Sequence, residues 1–133
     1  MKFIYDKITE YTTEFNNSIV GLIGGEFFTG QLEDESVEKA FYDIVDLCGA
    51  LNRKQKVLHL YLATSLIFPY CRIKKLLDYI EEKQYDPEML VICTSYDLKY
   101  RFHTSSDFAE WEANINLLKT SIKNPVHIEI ILS

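Results

Sequence analysis

Small, hydroxyl-bearing or acidic residues stand at the ends of three apolar segments of the chain, residues 19–23, 57–63 and 89–94. These residues are Gly24, Gly25, Glu26, Thr64, Ser65, Thr94 and Ser95. Glycine frees the backbone for a tight turn, a carboxylate accepts hydrogen bonds, and a hydroxyl both donates and accepts. If the three segments are parallel strands of one sheet, these groups meet at the edge where α/β proteins bind ligands. The spacing therefore predicts a small-molecule site.

A second set of polar side chains alternates with apolar ones. His59 and Tyr61 alternate with leucines in 57–63, and His127 and Glu129 alternate with valine and isoleucine in 126–132. Alternation places the polar groups on one face of a sheet and the aliphatic groups on the other. That polar face is either a lining for a ligand or metal, or a barrel interior left open to solvent. We expect His59 and Tyr61 to contact a partner, and we assign no metal ligands.

An acidic cluster follows the apolar segment 19–23. Its members are Glu33, Asp34, Glu35, Glu38, Asp43 and Asp46. Such a cluster is either a solvated face or a contact surface for a basic partner, such as the nucleic-acid channel of another protein. Phe27 and Phe28 precede it and would be hydrophobic anchors if exposed. The sequence thus predicts a partner contact through Phe27, Phe28 and the first four acidic residues of the cluster.

Composition limits the classes of protein that need to be considered. The 133 residues carry a net charge of −6 and are 47% hydrophobic, which is typical of one globular domain spanning residues 1–133. A negative charge argues against direct nucleic-acid binding. Apolar runs are shorter than the roughly 18 residues that a membrane-spanning helix needs. Cys48, Cys71 and Cys93 match no metal-binding spacing and lie in apolar stretches, so we interpret them as buried thiols in a reducing cytoplasm.

Helical and strand patterns alternate along the chain. Apolar residues recur at helical spacing in 3–15, 36–51, 73–80 and 107–122, and strand-like runs cover 19–23, 57–63, 89–94 and 126–132. The last helix is expected to open at Asp107, with Glu110 completing a capping box. The order predicts an α/β fold of four mainly parallel strands, a partial βα-barrel with helices on one face. The alternative is a flavodoxin-like sheet with helices on both faces.

The run Leu22-Ile23-Gly24-Gly25-Glu26, followed by Thr64-Ser65 at the end of the next strand, resembles the middle of a radical S-adenosylmethionine (SAM) domain. The resemblance covers nearly the whole chain and implies that the four strands correspond to family strands two to five. It implies that the Gly-Gly-Glu contacts the methionyl amino group of SAM. The family's Cys-x-x-x-Cys-x-x-Cys cluster loop is not found in the sequence, and Phe27 replaces the usual proline. We therefore expect a truncated domain with a vestigial SAM site and no iron–sulfur cluster.

Together these observations predict a non-catalytic binding protein or inhibitor of the cytoplasm, without membrane or direct nucleic-acid contact. A phage-type inhibitor of a nucleic-acid-binding host defence enzyme (anti-CRISPR-like) is a protein of this kind. The alternative is a SAM-binding or accessory fragment of a radical SAM enzyme that another chain completes. The apolar segment 19–23 should lie at a sheet edge and pair with a second copy or with a partner. We expect a homodimer or a hetero-complex.

Overall fold

Helices and strands alternate regularly along the chain. The computed structural model describes residues 2–14, 17–22, 35–54, 57–96, 102–120 and 126–132. The elements of these ranges are α1 (Lys2–Glu14), β1 (Asn17–Leu22), α2 (Glu35–Arg53), β2 (Val57–Ala63), α3 (Cys71–Glu82), β3 (Leu90–Tyr96), α4 (Ser105–Thr120) and β4 (His127–Leu132). A short 3₁₀ turn, Pro87–Met89, leads into β3.

The four described strands form one parallel sheet in the order β1-β2-β3-β4. Each strand therefore lies beside the next strand in the sequence. This arrangement confirms the predicted α/β class with four parallel strands. Each α-helix between two strands returns the chain to the start of the sheet, as the connection of parallel strands requires.

The hydrophobic core lies between one face of the sheet and the helices. The sheet contributes Leu58, Leu60, Leu62, Leu90 and Ile92, and the helices contribute Phe41, Val45, Cys48, Ile73, Leu76, Ile80, Trp111, Ile115 and Leu118. Ile8 of α1 packs against the same cluster. The four described α-helices thus pack on one face, which differs from the flavodoxin-like alternative. Each fully buried aliphatic side chain stabilises the fold by about 1.5–3 kcal/mol.

The N-terminus of α4 lies one turn earlier than the sequence predicted. Thr104 Oγ1 accepts a hydrogen bond from the amide of Asp107 (3.1 Å). In return, the Asp107 carboxylate accepts from the amides of His103 (3.0 Å) and Thr104 (3.3 Å). These reciprocal bonds form a capping box around Thr104. The prediction of a helix start at Asp107 with Glu110 was wrong, because Asp107 is already the third residue of the helix.

The helices of the described ranges are all too short or too polar to cross a bilayer.

Candidate functional site

The face of the sheet opposite the helices is lined by alternate residues of all four strands. We call this surface the open face; its residues are Ile19, Gly21, His59, Tyr61, Val91, Cys93, His127, Glu129 and Ile131. The strand register places them in rows, because Ile19 lies opposite His59 and Val91 lies opposite His127. Both polar pairs that the sequence predicted for one face are therefore brought together.

The open face forms a broad groove of about 730 Å³. His59, Tyr61, His127 and Glu129 line it together with aliphatic residues, among them Ile19. The side chain of Ile19 is 74% exposed, whereas the leucines on the other face of β2 are buried. The groove is thus an accessible surface of mixed polar and aliphatic character.

A hydrogen-bonding cluster occupies the middle of the groove. The hydroxyl of Tyr61 interacts with the Cys93 thiol and with the Glu129 carboxylate, and His127 Nε2 lies 3.5 Å from Glu129 Oε1. The hydrogen bond with Cys93 is the largest cause that raises the pKa of Tyr61, to about 12, and Glu129 adds to the shift. Tyr61 is therefore neutral at physiological pH and serves as a hydrogen-bond donor.

The cluster is suited to recognition through hydrogen bonds. Tyr61 and Glu129 both neighbour Cys93, and Glu129 is its partner in the strand register. The described ranges contain no group of three or more histidine, cysteine, aspartate or glutamate side chains that could hold a metal ion. The open face thus offers a phenol, imidazoles and a carboxylate for contact with a bound surface.

The hydroxyls at the carboxyl ends of β2 and β3 are engaged within the chain. Thr64 Oγ1 accepts from the amide of Leu66 (3.2 Å), and Ser65 Oγ accepts from the amide of Ile67 (3.1 Å). Thr94 Oγ1 donates to the carbonyl of Ser65 (3.3 Å). These side chains therefore fasten the turn that follows β2.

Helix α4 holds the same turn from the other side. Asn114 is fully buried, and its Nδ2 donates to the carbonyls of Leu66 and Phe68, each at 2.9 Å. Trp111 Nε1 donates to Thr94 Oγ1 (3.2 Å). Leu66 has φ of 57°, in the left-handed region that non-glycine residues rarely adopt. The turn is rigid because several buried hydrogen bonds hold this unfavourable conformation.

Two of the four acidic residues of α2 contact α3 or the segment that follows it. Glu38 forms ion pairs with Arg72 (3.5 Å) and with Lys75. The Asp46 carboxylate accepts hydrogen bonds from the hydroxyls of Tyr79 and Tyr85, each at 2.7 Å.

Two other acidic residues of this helix differ from Glu38 and Asp46. Asp43 pairs with Lys39 on the helix surface at 2.8 Å. Glu35 is exposed. Glu38 and Asp46 therefore stabilise the packing of α2, whereas Asp43 and Glu35 lie on the helix surface.

Seven of the predicted site residues lie outside the described residues. They are Gly24, Gly25, Glu26, Phe27, Phe28, Glu33 and Asp34. The predicted SAM-binding motif and the predicted aromatic anchors therefore stay predictions.

Val91 and Cys93 belong to the open face but were not predicted there. Both lie in β3, an apolar segment without visible alternation, so the sequence does not show which of its residues face the helices. The register does, because Val91 lies opposite His127 and Cys93 opposite Glu129. Extending the alternation of β4 to β3 through parallel pairing would have found them.

Comparisons with protein families, with curated proteins and with solved structures found no match for this chain.

Proposed function

We propose that this chain is a non-catalytic binding protein that docks a macromolecular partner on the open face of its sheet. One observation carries the proposal: in the described ranges, helices cover only one face of an all-parallel sheet. All-parallel sheets in proteins are buried on both faces. The open face should therefore be covered when the protein is at work.

The chemistry of the open face suits a protein interface. It combines the exposed aliphatic side chain of Ile19 with the aromatic ring of Tyr61 and with polar groups such as Glu129. Interfaces place aromatic and aliphatic anchors at the centre and polar groups around them. The hydroxyl of Tyr61 is hydrogen-bonded to Cys93 and Glu129 within the chain, which leaves its aromatic ring to contact a partner.

The contacts of α2 favour the open face over the acidic cluster as the contact surface. The net charge of −6 would steer the protein towards a basic partner at long range. However, Glu38 and Asp46 are already paired with groups of α3 or of the segment that follows it. A basic nucleic-acid-binding protein, the partner that the sequence suggested, would then be recognised through the open face, with charge contributing mainly to the association rate.

A photo-crosslinking experiment tests this proposal. The photoreactive amino acid benzoylphenylalanine replaces Tyr61 on the open face, and in a matched variant it replaces Tyr70, which is 60% exposed away from that face. After irradiation in extract of the native cell, we expect an adduct of increased mass from position 61 and none from position 70. No adduct, or equal adducts from both positions, would contradict the proposal.

The alternative of a SAM-binding or accessory fragment is supported by the strand order. Four parallel strands in sequence order, with Thr64 and Ser65 after β2, match the arrangement that the radical SAM resemblance implies. For a binding protein we expect SAM to bind only on the order of millimolar in a calorimetric titration. Tight binding that Glu26→Ala abolishes would favour the alternative.

A further inference from the structure

Both outer strands of the sheet carry exposed apolar side chains. Ile19 of β1 is 74% exposed, and Ile131 and Leu132 of β4 are 56% and 77% exposed. β1 pairs with β2 only, and β4 pairs with β3 only, among the described strands. Edges of this kind pair readily with another strand. Since all four described strands run in one direction, β4 could pair with β1 of another copy as a parallel neighbour.

The offsets between the first residues of neighbouring strands match those of one half of a closed barrel. β2 starts level with β1, since Val57 lies opposite Asn17. β3 starts three residues further along, since Leu90 lies opposite Leu60, and β4 one residue further, since His127 lies opposite Val91. The stagger over the four strands is therefore four residues. If β4 pairs start to start with β1 of a second copy, two such offsets add up to a shear of eight, which is the shear of an eight-stranded βα-barrel.

We propose that the partner on the open face is a second copy of this chain, and that two sheets join edge to edge into one eight-stranded parallel barrel. The proposal rests on the proposed function, because it names the occupant of the same face. With a total shear of eight, His127 of one copy lies opposite Asn17 of the second copy. The two strands, His127–Leu132 and Asn17–Leu22, are each six residues long and pair along their full length.

This closure covers the exposed apolar residues of both edges. Leu132 would lie opposite Leu22 of the second copy, and Ile130, 42% exposed, opposite Val20. On the inner side, Glu129 would lie opposite Ile19. A twofold axis along the barrel makes the two junctions identical, as a symmetric dimer requires.

The charges of the open face also suit a shared interior. Each copy contributes two carboxylates, Glu88 and Glu129, and two imidazoles, His59 and His127. The four carboxylates of a dimer would therefore share the interior with four imidazoles, each of which can donate a hydrogen bond to a carboxylate.

The mass in solution, measured by light scattering, tests the dimer. We expect about 31 kDa, twice the chain mass of 15.6 kDa. Val91→Lys places a charge in the middle of the open face and should reduce the mass to that of one chain. The matched change Tyr70→Lys, at an exposed position away from the face, should leave the dimer intact. Circular dichroism establishes that both variants are folded.

Thiol cross-linking tests the register. Cysteines replace Ile19 and Glu129 in a background with Cys71→Ser and Cys93→Ser, since Cys71 is exposed, unlike the buried thiol that the sequence predicted, and Cys93 lies opposite Glu129 in the strand register. Within one chain the two introduced cysteines lie three strand spacings apart, at least about 14 Å, so a shorter linker cannot join them. In the barrel they are neighbours, and we expect covalent dimers.

The outcomes separate this inference from the proposed function. A monomer in solution, or a dimer that resists Val91→Lys and gives no covalent product, would overturn the barrel. If position 61 then cross-links to a different protein in native extract, the open face is still a docking surface and only the identity of its occupant is wrong. If position 61 gives no adduct at all, both proposals fail.

Discussion

Removal of the Asp46 carboxylate should destabilise the protein far more than removal of a neighbouring acidic group. Asp46 accepts hydrogen bonds from the hydroxyls of Tyr79 and Tyr85, each at 2.7 Å, in a partly buried position. A hydrogen bond to a charged group contributes about 1.5–3 kcal/mol, and partial exposure favours the lower end. For Asp46→Ala, which breaks both bonds, we therefore expect a loss of about 2–4 kcal/mol in the free energy of unfolding.

The matched control lies one turn away on the same helix. Asp43 pairs with Lys39 on the exposed surface, so Asp43→Ala should cost about 0.3–0.5 kcal/mol. Urea denaturation of both variants measures the difference. Equal midpoints for Asp46→Ala and the native protein would refute the structural role of Asp46 and return it to the acidic contact surface that the sequence suggested.

Asp46→Asn gives a second measurement of the same contact. Burial and the Asp46 carboxylate raise the pKa of Tyr85 to about 12. Because burial is the larger cause, the amide should lower this pKa only part of the way to its ordinary value of 10. Spectrophotometric titration of tyrosinate follows the change, and an unaltered titration curve would contradict the assignment.

Two further predictions concern the same packing between α2 and α3. A Cβ at Gly49 would lie 2.5 Å from the ring of Tyr85, so Gly49→Ala should destabilise the native protein by about 1–2 kcal/mol. In a Tyr85→Ala background the ring is absent, and the higher helix propensity of alanine should make the same change stabilising by about 1 kcal/mol. Stabilisation in both backgrounds would refute the contact. Burial raises the pKa values of Tyr42 and Cys48 to about 12 from ordinary values of 10 and 9. The unfolded chain therefore releases these protons first, so stability is complete below about pH 9 and declines as the pH rises towards 12. Denaturation midpoints that stay constant over this range would contradict the prediction.

The order and direction of the strands could be predicted because each apolar strand is separated from the next by one amphipathic helix. Such βα units are typical of a parallel sheet, in which consecutive strands lie side by side in most cases. The start of α4 could not be predicted as well, because Thr104 and Asp107 both fit a cap and only the reciprocal hydrogen bonds distinguish them. Local spacing shows that a cap exists more reliably than where it lies.

The site could be predicted where it depends on the alternation of polar and apolar residues along a strand. It could not be predicted where it depends on contacts between residues far apart in the sequence. The polar residues His59 and His127 were assigned to one face from local sequence alone. The acidic residues of α2 were different, since the partners of Glu38 and Asp46 lie in α3 or after it. A sequence pattern shows the spacing of carboxylates on a helix but not the cations and phenols that the fold places opposite them.

Hydrogen exchange at the two outer strands tests the central claim most directly. In an isolated four-stranded sheet, half of the backbone amides of β1 and β4 point away from the sheet and exchange rapidly. If the open face and its edges are covered by a second copy, the amides of Asn17–Leu22 and His127–Leu132 should exchange slowly in the native protein. The half of these amides that points away from the sheet should become fast in the Val91→Lys variant, while the amides of β2 remain protected. Rapid exchange at both outer strands of the native protein, unchanged by Val91→Lys, would contradict the account.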